Sequence, residues 1–195
     1  MKTIGIKRTF IALLLACVSY TASAEWVLNN AESTLNFISI KKLTVGEVHT
    51  FKNLEGSLKD NGEVSVDVSL SSVDTKISIR DDRMKKVLFE VVKFPKATVF
   101  TKVDIKRINS LKAGEYFLQN LPLELSIHGQ QNNIDAELRI TALADNKILA
   151  TTIKPIIIKM GDYKLEKGVE LLKALAKLSS ISTAVPVTVS FIFEK

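Results

Sequence analysis

Cysteine is nearly missing from this chain: Cys17 is the only one in 195 residues. One thiol forms no intramolecular disulfide, and it supplies neither a zinc cluster nor an iron–sulfur site. Histidine is almost as scarce. His49 and His128 are far apart and have no companion ligands at metal spacing, and a metal site needs three or more converging groups. His49, between Val48 and Thr50, is expected at a strand edge facing water, and His128, before Gly129, in a turn. No G-x-S-x-G elbow, phosphate loop or dinucleotide fingerprint occurs. These absences lead to an expectation of no catalytic residues, no metal, no cofactor and no enzymatic activity.

The apolar run from Phe10 to Tyr20 is too short to span a bilayer. It has another reading. Lys2, Lys7 and Arg8 precede it and Ala22-Ser23-Ala24 follows it, the three parts of a secretory signal with an A-x-A cleavage site. Cleavage after Ala24 leaves 25–195 as one exported domain without cysteine. Leu14-Leu15-Ala16-Cys17 resembles a lipobox and offers a lipid-anchored alternative. A buried N-terminal helix is the third reading.

The whole chain carries +6, and loss of three cations with the signal leaves +3. The lysines are spread along the elements and do not cluster with aromatics, which argues against nucleic acid as a partner. A mild, transient attraction to anionic membrane surfaces is compatible with this charge. So is an ordinary solvated surface. Oligomeric state has no signature in the sequence.

Alternation of period two is abundant. Val64, Val66, Val68 and Leu70 alternate with polar residues, as do Leu121 to Ile127, Ile134 to Ile140 and Val185 to Phe193. Each run predicts an antiparallel strand with one dry face. Asp60-Asn61-Gly62, Lys112-Ala113-Gly114, Gly129 to Asn133 and Asp145-Asn146 separate them as turns. Strands wet on one face bury the other together, in a sandwich or a closed barrel. Two segments break the period. Residues 79–88 read as a short charged helix capped by Ser78 with Asp81 three positions on. Residues 168–178 read as an amphipathic helix with Leu165, Val169, Leu172 and Leu175 on one side. No repeat or linker divides the chain.

The segment Ser72 to Phe100 joins a strand ending in Ser-Val-Asp-Thr, an Arg-Asp-rich helix, Leu88-Phe89 and the Phe94-Pro95 turn. It resembles the YceI-like family of lipid- and polyisoprenoid-binding proteins. Trp26, Ser33, Leu35 and Phe37 resemble the family's first strand, and Phe51 to Gly56 its second. Leu123, Leu125, Ile127, His128 and Gly129 resemble its hairpin, and Pro155 through Val187 the C-terminal part of one branch. The pieces occur in the family's order over nearly the whole domain. Glu32 departs from a frequent His, and His49 from a frequent Gly.

The resemblance implies an all-β, lipocalin-like antiparallel barrel of about eight strands with two short helices, in the periplasm. It implies a long-chain amphiphilic lipid as ligand: a polyisoprenoid, such as a quinone or polyprenyl phosphate. Strand parity then nominates the cavity lining: Leu35, Phe37, Val66, Val68, Leu70, Val99, Leu123, Leu125, Ile127, Leu138, Ile140, Val187, Val189 and Phe191. Arg80 and Arg83 are candidate head-group contacts, against a reading as helix-end surface ion pairs. Phe51, Phe89, Phe94, Phe100 and Tyr116 could line a tunnel or fill a dry core. Two alternatives stand beside the carrier. One is a filled barrel acting through its surface. The other is a lipid-modifying enzyme on the same scaffold, for which the alternation offers no convergent polar group inside.

Overall fold

The structure, a computed structural model, describes residues 25–195. Residues 1–24, with the expected signal and Cys17, lie outside the described residues. In chain order the strands are β1 (Trp26–Leu28), β2 (Thr34–Lys41), β3 (Val45–Phe51), β4 (Leu54–Leu58), β5 (Glu63–Ser69), β6 (Val73–Asp74) and β7 (Lys96–Lys102). They continue as β8 (Tyr116–Ile127), β9 (Gln130–Ala142), β10 (Lys147–Thr152), β11 (Ile156–Lys159) and β12 (Ala184–Glu194). Helix α1 (Ser78–Arg83) follows β6, α2 (Ile105–Ser110) follows β7, and α3 (Glu166–Leu175) precedes β12.

Every pairing between these strands is antiparallel, and several of them are halves of one bent wall strand. β1 and β2 both lie along β12, through Leu28↔Phe193 and Phe37↔Val187. A 3-10 turn at Asn30–Glu32 bends the chain between them, capped by the Asn29 side chain. On the other side β1 pairs β4 and β2 pairs β3. β5 and β6 run on against β4 and β3 in the same way, and β10 and β11 both border β12. Counted so, eight wall strands close into one barrel through the pairing of β1 with both β4 and β12, while β6 and β11 each pair on one side only. Eight is the number whose interior just holds side chains or one small ligand.

The longest ladder, β8 with β9, runs unbroken from Tyr116↔Thr141 to Ile127↔Gln130. Its two-residue turn is His128-Gly129, with φ of 52° and 72°. Positive φ at both positions is what a twisted hairpin's tight turn requires, so the turn is tighter than the predicted stretch from Gly129 to Asn133. The fourteen residues assigned to one parity all face the interior. Phe100 and Tyr116 do not: they lie outside, 46% and 56% exposed. Phe94 also leaves the core, with its ring 4.4 Å from that of His128.

The two ends of the barrel are built differently. At one end Trp26, Leu58, Ile108 of α2, Phe117 and Phe193 are all buried in a single apolar cluster. Asp104 caps α2 by accepting from the Arg107 amide at 3.1 Å; this helix was not anticipated. Ion–aromatic contacts cover the plug from outside, Arg107 over Phe117 at 4.2 Å and Lys195 over Trp26 at 5.5 Å. At the other end lie the 42–44, 75–95, 128–129 and 160–183 connections, including α1 and α3.

The predicted helix over 79–88 is realised in two parts. α1 ends at Arg83 and is followed by a π-helical turn, Met84–Leu88. Ser78 does not cap it; the N-terminal flank is Ile77, without a side-chain cap. Asp81 instead accepts from the Thr75 amide at 2.9 Å and from the Thr75 hydroxyl. The carboxylate thus ties α1 to the end of β6 rather than to its own first turn. α3 begins earlier than expected, at Glu166, and Leu175 is exposed while Leu165 and Val169 are buried.

Candidate functional site

Inside the barrel the two parities of each strand separate cleanly, and a cavity of about 330 Å³ runs through the apolar interior. That volume falls within the ~300–1,000 Å³ typical of small-molecule sites. Val66 and Val68 of β5, Val99 of β7, Leu123, Leu125 and Ile127 of β8, and Leu138 and Ile140 of β9 form one side. Leu35 and Phe37 of β2 with Val187, Val189 and Phe191 of β12 form the other, and Leu70 joins them from the bend after β5. The sequence parity therefore placed every nominated residue on the lumen. It missed those that reach the cavity from helices and their flanks: Met84, Leu88 and Phe89 after α1, Leu165 just before α3, and Val169 and Leu172 of α3. Their i, i+4 and i+3 spacing carried the signal, because one helical face must bury somewhere.

An aromatic layer crosses the lumen. Phe37 stands 5.2 Å from Phe51, and Phe51 5.7 Å from Phe89, centroid to centroid, all tilted. His49 continues the layer, 5.2 Å from Phe37. Such offset contacts stabilise by about 0.5–1.5 kcal/mol beyond area burial.

His49 contradicts its sequence reading. It is not at a wet strand edge but 4% exposed, on the cavity wall. The parity of β3 explains this: Glu47, His49 and Phe51 share a face, and Phe51 anchors that face inward. His49 Nε2 shares a hydrogen bond of 2.8 Å with Ser39 Oγ, from the facing β2. Its Nδ1 is buried without a partner. Burial holds its pKa below the ordinary imidazole value, and the nearby Arg80 charge acts in the same direction. The ring is neutral at neutral pH.

Beyond His49, toward α1, the lumen becomes charged. Arg80 Nη1 donates to Glu47 Oε2 at 2.7 Å and Nη2 to the Thr75 carbonyl at 2.7 Å. Lys41 Nζ lies 2.8 Å from the same Glu47 oxygen. Glu47 is held below the usual carboxylate range, first by the Lys41 hydrogen bond and then by Arg80. Two cations around one anion leave a net positive charge at the rim. Arg80 Nε is buried and unpartnered. Arg83 also reaches the cavity and donates to the Leu175 carbonyl at 3.3 Å, bridging α1 to the end of α3. A convergent polar group therefore exists inside the barrel, which strand alternation had not disclosed. It is assembled from two strands and a helix distant in sequence.

The Ser39–His49 pair has the nucleophile–base spacing of a hydrolase. A triad needs a carboxylate on the second ring nitrogen, and Nδ1 has no partner. Among the described residues no group of three or more His, Cys, Asp or Glu is placed to hold a metal. His128 stays remote from the cavity. Its Nε2 lies 3.0 Å from Glu90 Oε2, fastening the hairpin turn to the segment before β7.

Comparison with known proteins matches this architecture. The YceI-like domain model covers residues 26–193. A polyisoprenoid-binding domain from Saccharophagus degradans implicated in plant cell wall breakdown is 38% identical, with a TM-score of 0.85 over 87% of this chain and 97% of that one. Burkholderia cenocepacia BcnA shares the fold at 15% identity and a TM-score of 0.65, over 85% and 98% of the two chains. A Campylobacter jejuni YCEI protein shares it at 19% identity and a TM-score of 0.57, over 80% and 90%. No curated protein matches. With a family match over nearly all the described residues, the same closed barrel and an apolar lumen, this chain belongs to the YceI-like family.

Proposed function

We propose that this protein is exported to the periplasm and binds one long-chain amphiphilic lipid of the polyisoprenoid class, its chain in the lumen and its head group near Arg80 and Arg83. One observation carries the reading. The lumen is apolar along the strands apart from Thr101, and its charged groups and His49 gather at the α1 end. That is the pattern of a molecule with a long dry tail and a small wet head. The polyisoprenoid-binding relative at 38% identity supports the same ligand class.

Magnitudes favour the tail as the source of affinity. Burying a methylene gains ~0.8 kcal/mol, so a five-carbon isoprene unit gains about 3–4 kcal/mol. Micromolar binding needs ~8 kcal/mol net, after association costs of roughly 4–15 kcal/mol. A tail of several buried units can therefore supply most of the affinity. The head group sets orientation and selectivity: Arg80 Nε and the buried His49 Nδ1 are polar atoms that a carbonyl or phosphate could engage after small side-chain shifts. A cavity of this size argues against the filled barrel, and the missing third member of the Ser39–His49 pair argues against catalysis on the lipid.

Solvent extraction of the purified protein followed by mass spectrometry tests the proposal. A stoichiometric polyprenyl or quinone lipid is expected. Folded protein that yields no lipid and takes up no added polyprenyl or quinone compound overturns it.

A further inference from the structure

The two ends of the barrel differ in charge. The 42–44, 75–95, 128–129 and 160–183 connections, at the Arg80 end, carry eleven Lys and Arg against six Asp and Glu, a net +5. Glu25, the 59–62, 103–115 and 143–146 connections and Lys195, at the plugged end, carry five of each. Residues 25–195 sum to +3, so everything outside the Arg80 end sums to −2. The lysines that look evenly spread along the sequence are gathered by the fold around the mouth of the cavity.

Exposed apolar side chains follow the same polarity. The two most exposed large apolar residues, Val92 at 98% and Leu43 at 82%, both stand on these connections, with Ile77, Ile79, Leu171 and Leu175 also exposed there. Neither Leu43 nor Val92 lines the cavity. Leu43 has φ 68° and follows Lys42 at φ 50°, a left-handed pair that normally takes Asn or Gly. The Lys42 and Leu43 amides donate to the Ser180 carbonyl and hydroxyl, each at 3.1 Å. The fold thus pins a bulky apolar side chain outward, in an uncommon backbone conformation, at the rim of an apolar lumen.

We infer that this end docks on an anionic lipid bilayer. Leu43 and Val92 enter the interface, and the surrounding cations sit at the phosphate level. The inference rests on the lipid-binding reading, since a bilayer is where such a ligand resides. Charge selects the occupant. Two copies meeting through faces of +5 repel each other, whereas an anionic headgroup layer is complementary to this face. Docked so, the cavity mouth opens toward the bilayer, and a lipid tail enters the lumen without crossing water.

The test is flotation of the purified protein with vesicles of phosphatidylcholine alone or mixed with phosphatidylglycerol. Binding to the mixed vesicles is expected, lost on raising salt to about 0.5 M. Each of Lys42→Glu and Lys177→Glu should lower partitioning about fivefold or more. Leu43→Glu with Val92→Glu should abolish it while leaving thermal unfolding unchanged. Absence of binding to the mixed vesicles overturns the inference, as does equal binding by the Leu43/Val92 double variant. A dimer that the double variant dissolves also overturns it and assigns the face to a second copy. Lipid-free protein that still floats would sink the ligand reading and leave the docking face standing.

Discussion

Gly168 of α3 lies directly against the backbone of Leu88 in the π-helical turn: a Cβ at position 168 would come within 2.8 Å of Leu88 Cα and of the Val87 carbonyl oxygen. Two connections that are far apart in sequence meet at this point to form the wall of the cavity mouth. Gly168→Ala is therefore expected to force α3 away from the turn. Overpacking of this kind costs ~1–3 kcal/mol. Urea unfolding should register the loss, and the bound lipid should dissociate faster than from the parent protein. Unchanged stability together with unchanged lipid exchange would show that the mouth tolerates displacement of α3.

Acidification from neutral pH should destabilise the protein through His49. His49 has a folded pKa below its unfolded value of 6.5. Its contribution is complete above the unfolded pKa and is lost as pH falls toward the folded one, because a buried neutral ring must then take up a charge. Thermal unfolding measured from pH 7 to about pH 5 should show a falling midpoint. His49→Gln, which keeps a polar group near Ser39, should flatten the curve in that window. His128→Ala serves as the control: it should leave lipid retention unchanged, since His128 is remote from the lumen.

A charge in the wall should be incompatible with a ligand. Val68 and Leu125 are buried and line the cavity. Val68→Asp and Leu125→Asp place an unpaired carboxylate where nothing neutralises it, at a cost of several kcal/mol if it stays ionised. Circular dichroism should report a retained barrel, and extraction should recover no lipid. A folded variant that keeps its full lipid content would mean that the chain lies elsewhere.

The proposed export makes a separate prediction. Cleavage after Ala24 is expected, and would yield a protein beginning at Glu25, without cysteine. N-terminal sequencing of the exported form checks this. A product that begins with a lipid-modified Cys17 would overturn this and show a lipid-anchored protein.

The barrel was legible in the sequence because period two is a strictly local property. Val64, Val66 and Val68 need only their own strand to declare a dry face. The polar node was not legible, because Ser39, Glu47, His49 and Arg80 become neighbours only when β2, β3 and α1 are brought together by pairing and closure. His49 was misread for a related reason. Its immediate neighbours in the chain said little, while Phe51, two residues on, fixed the inward parity. Asp81 shows the limit of capping rules: its spacing from Ser78 fits a capping box, yet Thr75 offers it two donors and wins. Charge was least readable of all, since lysines scattered along connections become a collar only in three dimensions.

The burial of Trp26, Leu58, Ile108, Phe117 and Phe193 at one end favours entry to the lumen from the Arg80 end, and a single entrance would impose an order of events. A tail must enter first and leave last, so the head group is always the part presented to the donor and the acceptor. On the proposed lipid-binding reading a bound tail leaves by the way it came. On that reading, such a molecule would visit source and destination in turn with the same face. Its rate of delivery is then set by how quickly that single face lets go.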